Sequence, residues 1–279
     1  MSVANLSERA LKARLRQLIF KNGRVVCPHC GRYRIRAIED RYWCGRCRAK
    51  FSLTSQTWLK GMKLPLTIFF NLLDCWIYEV PVGEAARRCT VSVVSVRLWN
   101  RKFRINVAEE SVFKPQDSVQ VDEAYFGRFK KGANYMHGYR KYQVMNKVCV
   151  AGISCPTTGT LATRVIPDQP GLRIKAFIRE YVPTDIHVYA DGSHIYTRLD
   201  TTHFLIQRTH DLGFQTAYYI ESCWSWMKRK LFKMYHHFTR RYAPEYVREL
   251  TWRFNTRTKP KDTDVFLTRS FTGCSKCFT

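Results

Sequence analysis

Apolar positions recur at two spacings along the chain, and the spacing assigns the elements. Leu6, Ala10, Leu11, Leu15, Leu18 and Ile19 recur at helical intervals among Arg and Lys, which predicts an amphipathic helix over residues 5–20. Residues 33–38 and 41–43 alternate like two short strands. An apolar helix is expected over 67–78, broken at Val80-Pro81 and followed by a short helix over 82–89. Thr90-Val-Ser92 reads as a turn with Ser92 as N-cap of a helix over 93–104. Past a hinge at residues 106–115 the period shortens to two. Strands are predicted over 118–126, 143–154 and 160–167. A basic turn holding Arg128, Lys130 and Lys131 follows the first, and Pro156-Thr-Thr-Gly159 joins the other two as a hairpin. A helix over 171–181, a buried strand over 186–190, a helix near 194–200 and a last long helix over 217–233 complete the pattern.

These elements divide the chain into an N-terminal helix with a small ribbon (1–62), a helical pair (63–112), an α/β domain (113–258) and a tail without an assigned role (259–279). The tail holds Cys274-Ser-Lys-Cys277. Three antiparallel strands followed by β/α alternation is the order of a ribonuclease H-like fold, and fold alone does not set function.

Charge adds a partner. Lys and Arg number 47 against 22 Asp and Glu, a net charge of +25, spread along the whole chain. A surplus of this size points to a polyanion, nucleic acid above all; a ribosomal or merely soluble basic protein would share it. Hydrophobic residues make up 45% of the chain, enough to build a core. No apolar run reaches about 18 residues, so no membrane span or membrane partner is expected. The first residues lack a signal-peptide pattern. The 11 cysteines are therefore read in a reducing compartment, as metal ligands or buried thiols.

Four of them are spaced for zinc. Cys27-Pro-His-Cys30 and Cys44-Gly-Arg-Cys47 are two Cys-x2-Cys knuckles, which together close a four-sulfur shell of the structural kind. Four unrelated thiols would be the plain alternative. Arg34 and Arg36 lie between the knuckles, so the ribbon is expected to touch DNA as well as to brace the fold. Helices 82–89 and 93–104 have the outline of a helix-turn-helix, in which the second helix enters the major groove. Arg97, Arg101 and Arg104 would then reach bases or phosphates. An ordinary αα-hairpin has the same outline.

The chemistry is sought in carboxylates. Asp122 sits mid-strand in Ser118-Val-Gln-Val-Asp-Glu-Ala-Tyr-Phe-Gly127, where a charge is costly unless paired or metal-bound. Asp191 ends the buried strand 186–190, and strand carboxyl ends are where α/β sheets gather ligands. On the helix over 217–233, Ile220, Trp224, Met227 and Leu231 form one stripe, with Glu221 and Lys228 together on its flank. Glu123 faces away from Asp122 on a regular strand. Three converging carboxylates suit two Mg²⁺ or Mn²⁺ ions and phosphoryl transfer, and Lys228 would meet a phosphate. Asp122 could instead cap a turn or pair with an arginine, Asp191-Gly192 could be a plain turn, and Glu221 a surface charge.

Taken in combination, these motifs resemble a known family: insertion-sequence transposases with an N-terminal zinc ribbon, a helix-turn-helix and a DDE catalytic domain, bacterial relatives of the Merlin elements. Val119 to Gly127 is similar to the strand around the family's first Asp. Val188-Tyr-Ala-Asp-Gly192 is similar to the strand of the second. Tyr219-Ile-Glu-Ser-Cys-Trp-Ser-Trp-Met-Lys-Arg229 resembles its Ile-Glu-Ser-x-Trp-Ser-x-x-Lys helix, and Tyr235-His-His237 and Arg253-Phe-Asn255 its downstream segment. The family often carries His-Thr-Asn before Ile-Glu, where this chain has Tyr218. In some members that Asn is proposed as a ligand, so the third role here falls to Glu221.

The resemblance implies a transposase that binds terminal inverted repeats and carries out metal-dependent cleavage and strand transfer. Asp122, Asp191 and Glu221 would be the ligands of the catalytic Mg²⁺, with Lys228 beside them. Double-stranded DNA, both element ends and target, would be the partner. A homodimer or higher assembly would pair the two ends, in the bacterial cytoplasm at the nucleoid, or in the nucleus of a eukaryotic host. The rival readings are an inactive or domesticated DNA-binding regulator and a ribonuclease H-like nuclease.

Overall fold

The computed structural model describes residues 6–20, 23–107, 113, 115–127, 147–167, 170–196, 199, 204–207 and 217–272. The basic turn at 128–132, residues 143–146 of the second expected strand, part of the helix expected at 194–200, and Cys274 and Cys277 lie outside these residues. The chain forms two compact units, residues 1–108 with 261–279, and residues 109–260.

The first unit opens with α1 (Glu8–Ile19), capped by Ser7, whose hydroxyl accepts from the Ala10 amide. Strands β1 (Ile35–Ile38), β2 (Arg41–Cys44) and β3 (Lys50–Phe51) form a three-stranded antiparallel ribbon. Helices α2 (Leu66–Ile77), α3 (Val82–Cys89) and α4 (Val93–Ile105) follow. Helix α2 starts after Pro65 and has no side-chain cap of its own. Glu8 supplies one from α1: its carboxylate accepts from the Leu66 and Thr67 amides at 3.1 and 2.9 Å. This satisfies donors that a helix start leaves open and sets negative charge at the positive end of the helix.

The unit is finished by a helix from the far end of the chain, α8 (Thr263–Thr272). Its Phe266 packs on Trp76 with ring centroids 5.2 Å apart, and its Phe271 lies 6.3 Å from Trp58. Phe69, Trp99 and Phe103 complete an aromatic core around them. At the rim the Trp58 indole donates to Ser270 Oγ at 3.1 Å. Residues 259–279, which the sequence left without a role, thus supply a core helix of the first unit.

The second unit is a five-stranded mixed sheet in the order β6-β5-β4-β7-β8. Strands β4 (Ser118–Phe126), β5 (Val148–Cys155) and β6 (Thr160–Ile166) are antiparallel. Strands β7 (His187–Ala190) and β8 (Phe204–Gln207) run parallel to β4. Alternation along β4 splits two cores. Val119 and Val121 join Ile174, Phe177 and Ile178 of α5 (Pro170–Tyr181) on one face. Ala124 and Phe126 join α6 (Tyr218–Tyr235) and α7 (Ala243–Asn255) on the other. Three antiparallel strands extended by two parallel ones, with helices on both faces, is the α/β ribonuclease H-like architecture expected.

Two expectations are corrected. The helix at 217–233 is not the last long one, since α7 and α8 follow it; Val247, Leu250 and Phe254 carried the helical spacing. The parallel edge strand β8 was also missed, because four residues are too few to show a period.

Candidate active site and metal centre

Cys27 and Cys30 leave the loop before the ribbon, Cys44 is the last residue of β2, and Cys47 lies in the turn after it. Their four sulfurs all lie within 4.8 Å of one another. Cys27 Sγ is 3.5 Å from Cys47 Sγ, and Cys30 Sγ 3.6 Å from Cys44 Sγ. A zinc–sulfur tetrahedron has edges of about 3.8 Å, so the knuckles are set for one structural ion. The thiols are unequal: the Cys47 backbone N–H brings Cys44 down to about 6, while burial pushes Cys27 up to about 12. A cation is what lets all four ionise together.

In the second unit, β4 and β7 are parallel neighbours, with Val119 opposite Val188 and Gln120 opposite Tyr189. Extending that register by two places sets Asp191 beside Asp122. The Asp191 loop is tied down: its Oδ1 accepts from the Ser193 amide, and Gln207 Nε2 donates to the carbonyls of Asp191 and Ser193 at 3.0 Å each. Glu123 lies on the other side of β4, where its carboxylate accepts from the Tyr196 hydroxyl at 2.8 Å. Burial raises Asp122 to about 7, and the Glu123 and Asp191 carboxylates add to the rise. An all-oxygen pair that repels itself in this way fits a hard divalent cation.

Helix α6 lies against β4. Its buried stripe is Ile220, Cys223, Trp224, Met227, Leu231 and Met234. Trp224 Nε1 donates to Asp122 Oδ2 at 2.9 Å. Gln120 Oε1 accepts from the Tyr219 and Ile220 amides at 2.9 and 3.1 Å, capping a helix whose own N-cap, Ala217, cannot. Glu221 lies between these two ties, in the first turn of α6 and exposed. Lys228 Nζ is 5.7 Å from the centre of the Phe126 ring at the end of β4. Asp122 and Asp191 are brought together, whereas the carboxylates of Asp122, Asp191 and Glu221 do not all come within 4.8 Å; among the described residues only the four cysteines form such a cluster.

The basic side chains proposed for DNA sort by burial. Arg34 just before β1, Arg36 on it, and Arg97 and Arg101 on α4 are exposed. Helices α3 and α4 are joined across Thr90, which is in the left-handed region at φ 53°, and Ser92, whose side chain accepts from the Ser95 amide. Arg104 is a correction. It is 3% exposed and falls on the inward stripe with Val96, Asn100 and Phe103, so it is a core residue and not part of the reading face.

A transposase zinc-ribbon domain matches residues 6–50. The ISXO2-like transposase domain matches residues 114–255, just over half of the 279-residue chain. The chain belongs to the ISXO2-like transposase family. No curated protein matches it. Among solved structures, the catalytic core domain of BIV integrase is 12% identical, with 57% of this chain and 84% of that chain covered and a TM-score of 0.29. A chain of the simian T-cell lymphotropic virus intasome in complex with the PP2A regulatory subunit B56 gamma is 8% identical, with 66% and 67% covered and a TM-score of 0.35.

Four residues around the transposase's carboxylates were not singled out by sequence reasoning: Gln120, Gly152, Tyr196 and Gln207. Gln120 carried one signal, as a polar residue in phase with Asp122 on a strand otherwise rich in β-formers. The other three carried none before the fold was known.

Proposed function

We propose that this ISXO2-like transposase uses Asp122, Asp191 and Glu221 to hold divalent cations for DNA cleavage and strand transfer at the inverted repeats of its element. The parallel register that sets Asp191 beside Asp122, at the carboxyl end of β7, carries the reading. Two Mg²⁺ or Mn²⁺ ions held there would activate the attacking oxygen and stabilise the leaving one. Glu221, exposed and one turn before Trp224, would complete the ligand set from the helix side. Lys228 would hold a DNA phosphate at the rim as a point charge. Asp191 is kept in place by Ser193 and Gln207.

The first unit would grip the element ends. Its exposed Arg97 and Arg101 on α4 suit a major groove, and Arg34 and Arg36 on the ribbon suit phosphates. Pairing two ends calls for at least two copies, acting on chromosomal DNA in the bacterial cytoplasm. Among the described residues, no helix is long and apolar enough to cross a membrane.

The test is strand transfer by full-length protein on inverted-repeat DNA with Mg²⁺. Asp122→Asn and Asp191→Asn should each lose it while still binding the repeats. Wild-type joining by either variant would sink the reading. A product that is cut but never joined would favour a nuclease.

A further inference from the structure

We infer that Trp224, in the space left open at Gly152, is a positioning residue that orients the Asp122 carboxylate for its cation. This rests on the reading of Asp122 as a metal ligand and deepens it. An indole donates one hydrogen bond, accepts none and carries no charge. Bound to Asp122 Oδ2 at 2.9 Å, it fixes the carboxylate without neutralising it or competing for the ion. An arginine or lysine in its place would form an ion pair and take the charge the cation needs.

The neighbouring residues are fitted to that hydrogen bond. Gly152 faces Asp122 across the β4–β5 ladder. A Cβ built on it would lie 2.5 Å from Cζ2 and Cη2 of the indole. Gly152 is not among the glycines with positive φ, so its use here is space and not backbone freedom. Phe126 meets the ring at 6.1 Å in an edge arrangement, and Trp224 as a whole is 4% exposed.

A second tie sets the position of the helix along the strand. Gln120, two residues before Asp122 and on the same face, holds the first turn of α6 through Tyr219 and Ile220. Two residues of strand span about 7 Å and four residues of helix about 6 Å. The two ties therefore match in spacing, and Glu221 is held between them. A tryptophan needed only for bulk would be replaceable by phenylalanine; the hydrogen bond to a ligand predicts that it is not.

The experiment uses full-length protein and Mn²⁺, with binding read by calorimetry and strand transfer read against Mn²⁺ concentration. Trp224→Phe should bind Mn²⁺ about tenfold more weakly, as is usual when a partner of a metal ligand is removed. Excess Mn²⁺ should restore its activity, with zinc content and melting temperature close to wild type. Gly152→Ala should give the same shift by displacing the ring. Asp122→Asn, run beside them, should lose both binding and joining. Wild-type Mn²⁺ affinity in Trp224→Phe beside a dead Asp122→Asn overturns the positioning role alone. Wild-type behaviour of Asp122→Asn overturns the ligand reading, and the positioning role with it. Should Trp224→Phe not fold, the indole ¹⁵N–¹H resonance of Trp224 in the wild-type protein decides: it should move as Mg²⁺ is added, and a resonance that stays still overturns the inference.

Discussion

Arg253 Nε lies 2.7 Å from Glu249 Oε1, one turn away on α7, and both residues are shut off from water at 4% and 0% exposure. The Tyr235 hydroxyl of α6 donates to the same carboxylate, at 2.9 and 3.0 Å from its two oxygens. The pair thereby links the helix that carries Glu221 to its neighbour α7.

Removing Arg253 takes the opposite charge from a buried carboxylate. Arg253→Met is expected to cost about 3–5 kcal/mol, whereas Glu249→Leu with Arg253→Met should recover most of it. Urea unfolding of the two variants checks this; equal stability of the single and double changes would count against it.

Arg14 and Asp264 pair at 2.8 Å across 250 residues of sequence, at the rim where α8 packs into the first unit. Such a pair adds little by itself; the buried Phe266, Leu267 and Phe271 matter more. Phe266→Ala should cost roughly 3–5 kcal/mol. A chain stopped after Pro260 should lose cooperative melting of the first unit and binding to the repeats, both measurable on purified protein.

Asp122 makes the metal-free protein sensitive to pH. Its folded pKa of about 7 lies above the value of about 3.9 in an unfolded chain. The folded form keeps the proton longer, so this contribution to stability is whole below pH 4 and is lost as pH rises to 7. Asp122→Asn should therefore stabilise the metal-free protein at pH 8, by on the order of 1–2 kcal/mol, while abolishing strand transfer. A melting series in chelator from pH 4 to 8 reads both effects.

Zinc removal should act on one unit only. A strong chelator, or Cys44→Ser, is expected to melt the ribbon and weaken binding to the repeats by at least about tenfold, since a four-cysteine site contributes folding energy directly. Circular dichroism of the second unit, expressed as residues 109–260 if it folds alone, should not respond to the chelator.

Arg97 and Arg104 should behave differently despite their shared charge. Arg97→Ala should lower the dependence of log K on log salt by about 0.9 for the one phosphate it would neutralise. Arg104→Ala should leave that slope unchanged and lower the melting temperature instead, because its side chain is inside the helical core.

Much of this was legible in the sequence because the signals were local. Strand β4 showed its alternation over nine residues, the knuckles showed their spacing, and Ile220, Trp224, Met227 and Leu231 showed their stripe. What stayed hidden depended on pairings between distant residues. The stripe buries Trp224 but says nothing of where its N–H points. Gln120 is a cap only because α6, about 100 residues later, starts without one. The helical period would have found α7 and α8, yet no pattern within α8 says that Trp58 and Trp76 wait for it. Arg104 was misplaced by charge, although its position in the α4 stripe already faced inward.

The split first unit has a consequence for synthesis. Residues 6–107 leave the ribosome long before α8 exists, and domains tend to fold as they emerge. Here the early segment has no Phe266 or Phe271 to close its aromatic core until the whole intervening domain has been translated. Element ends gripped by this unit would then be gripped only by finished polypeptides. A frameshift or an early stop would yield a fragment unable to occupy those ends and block them.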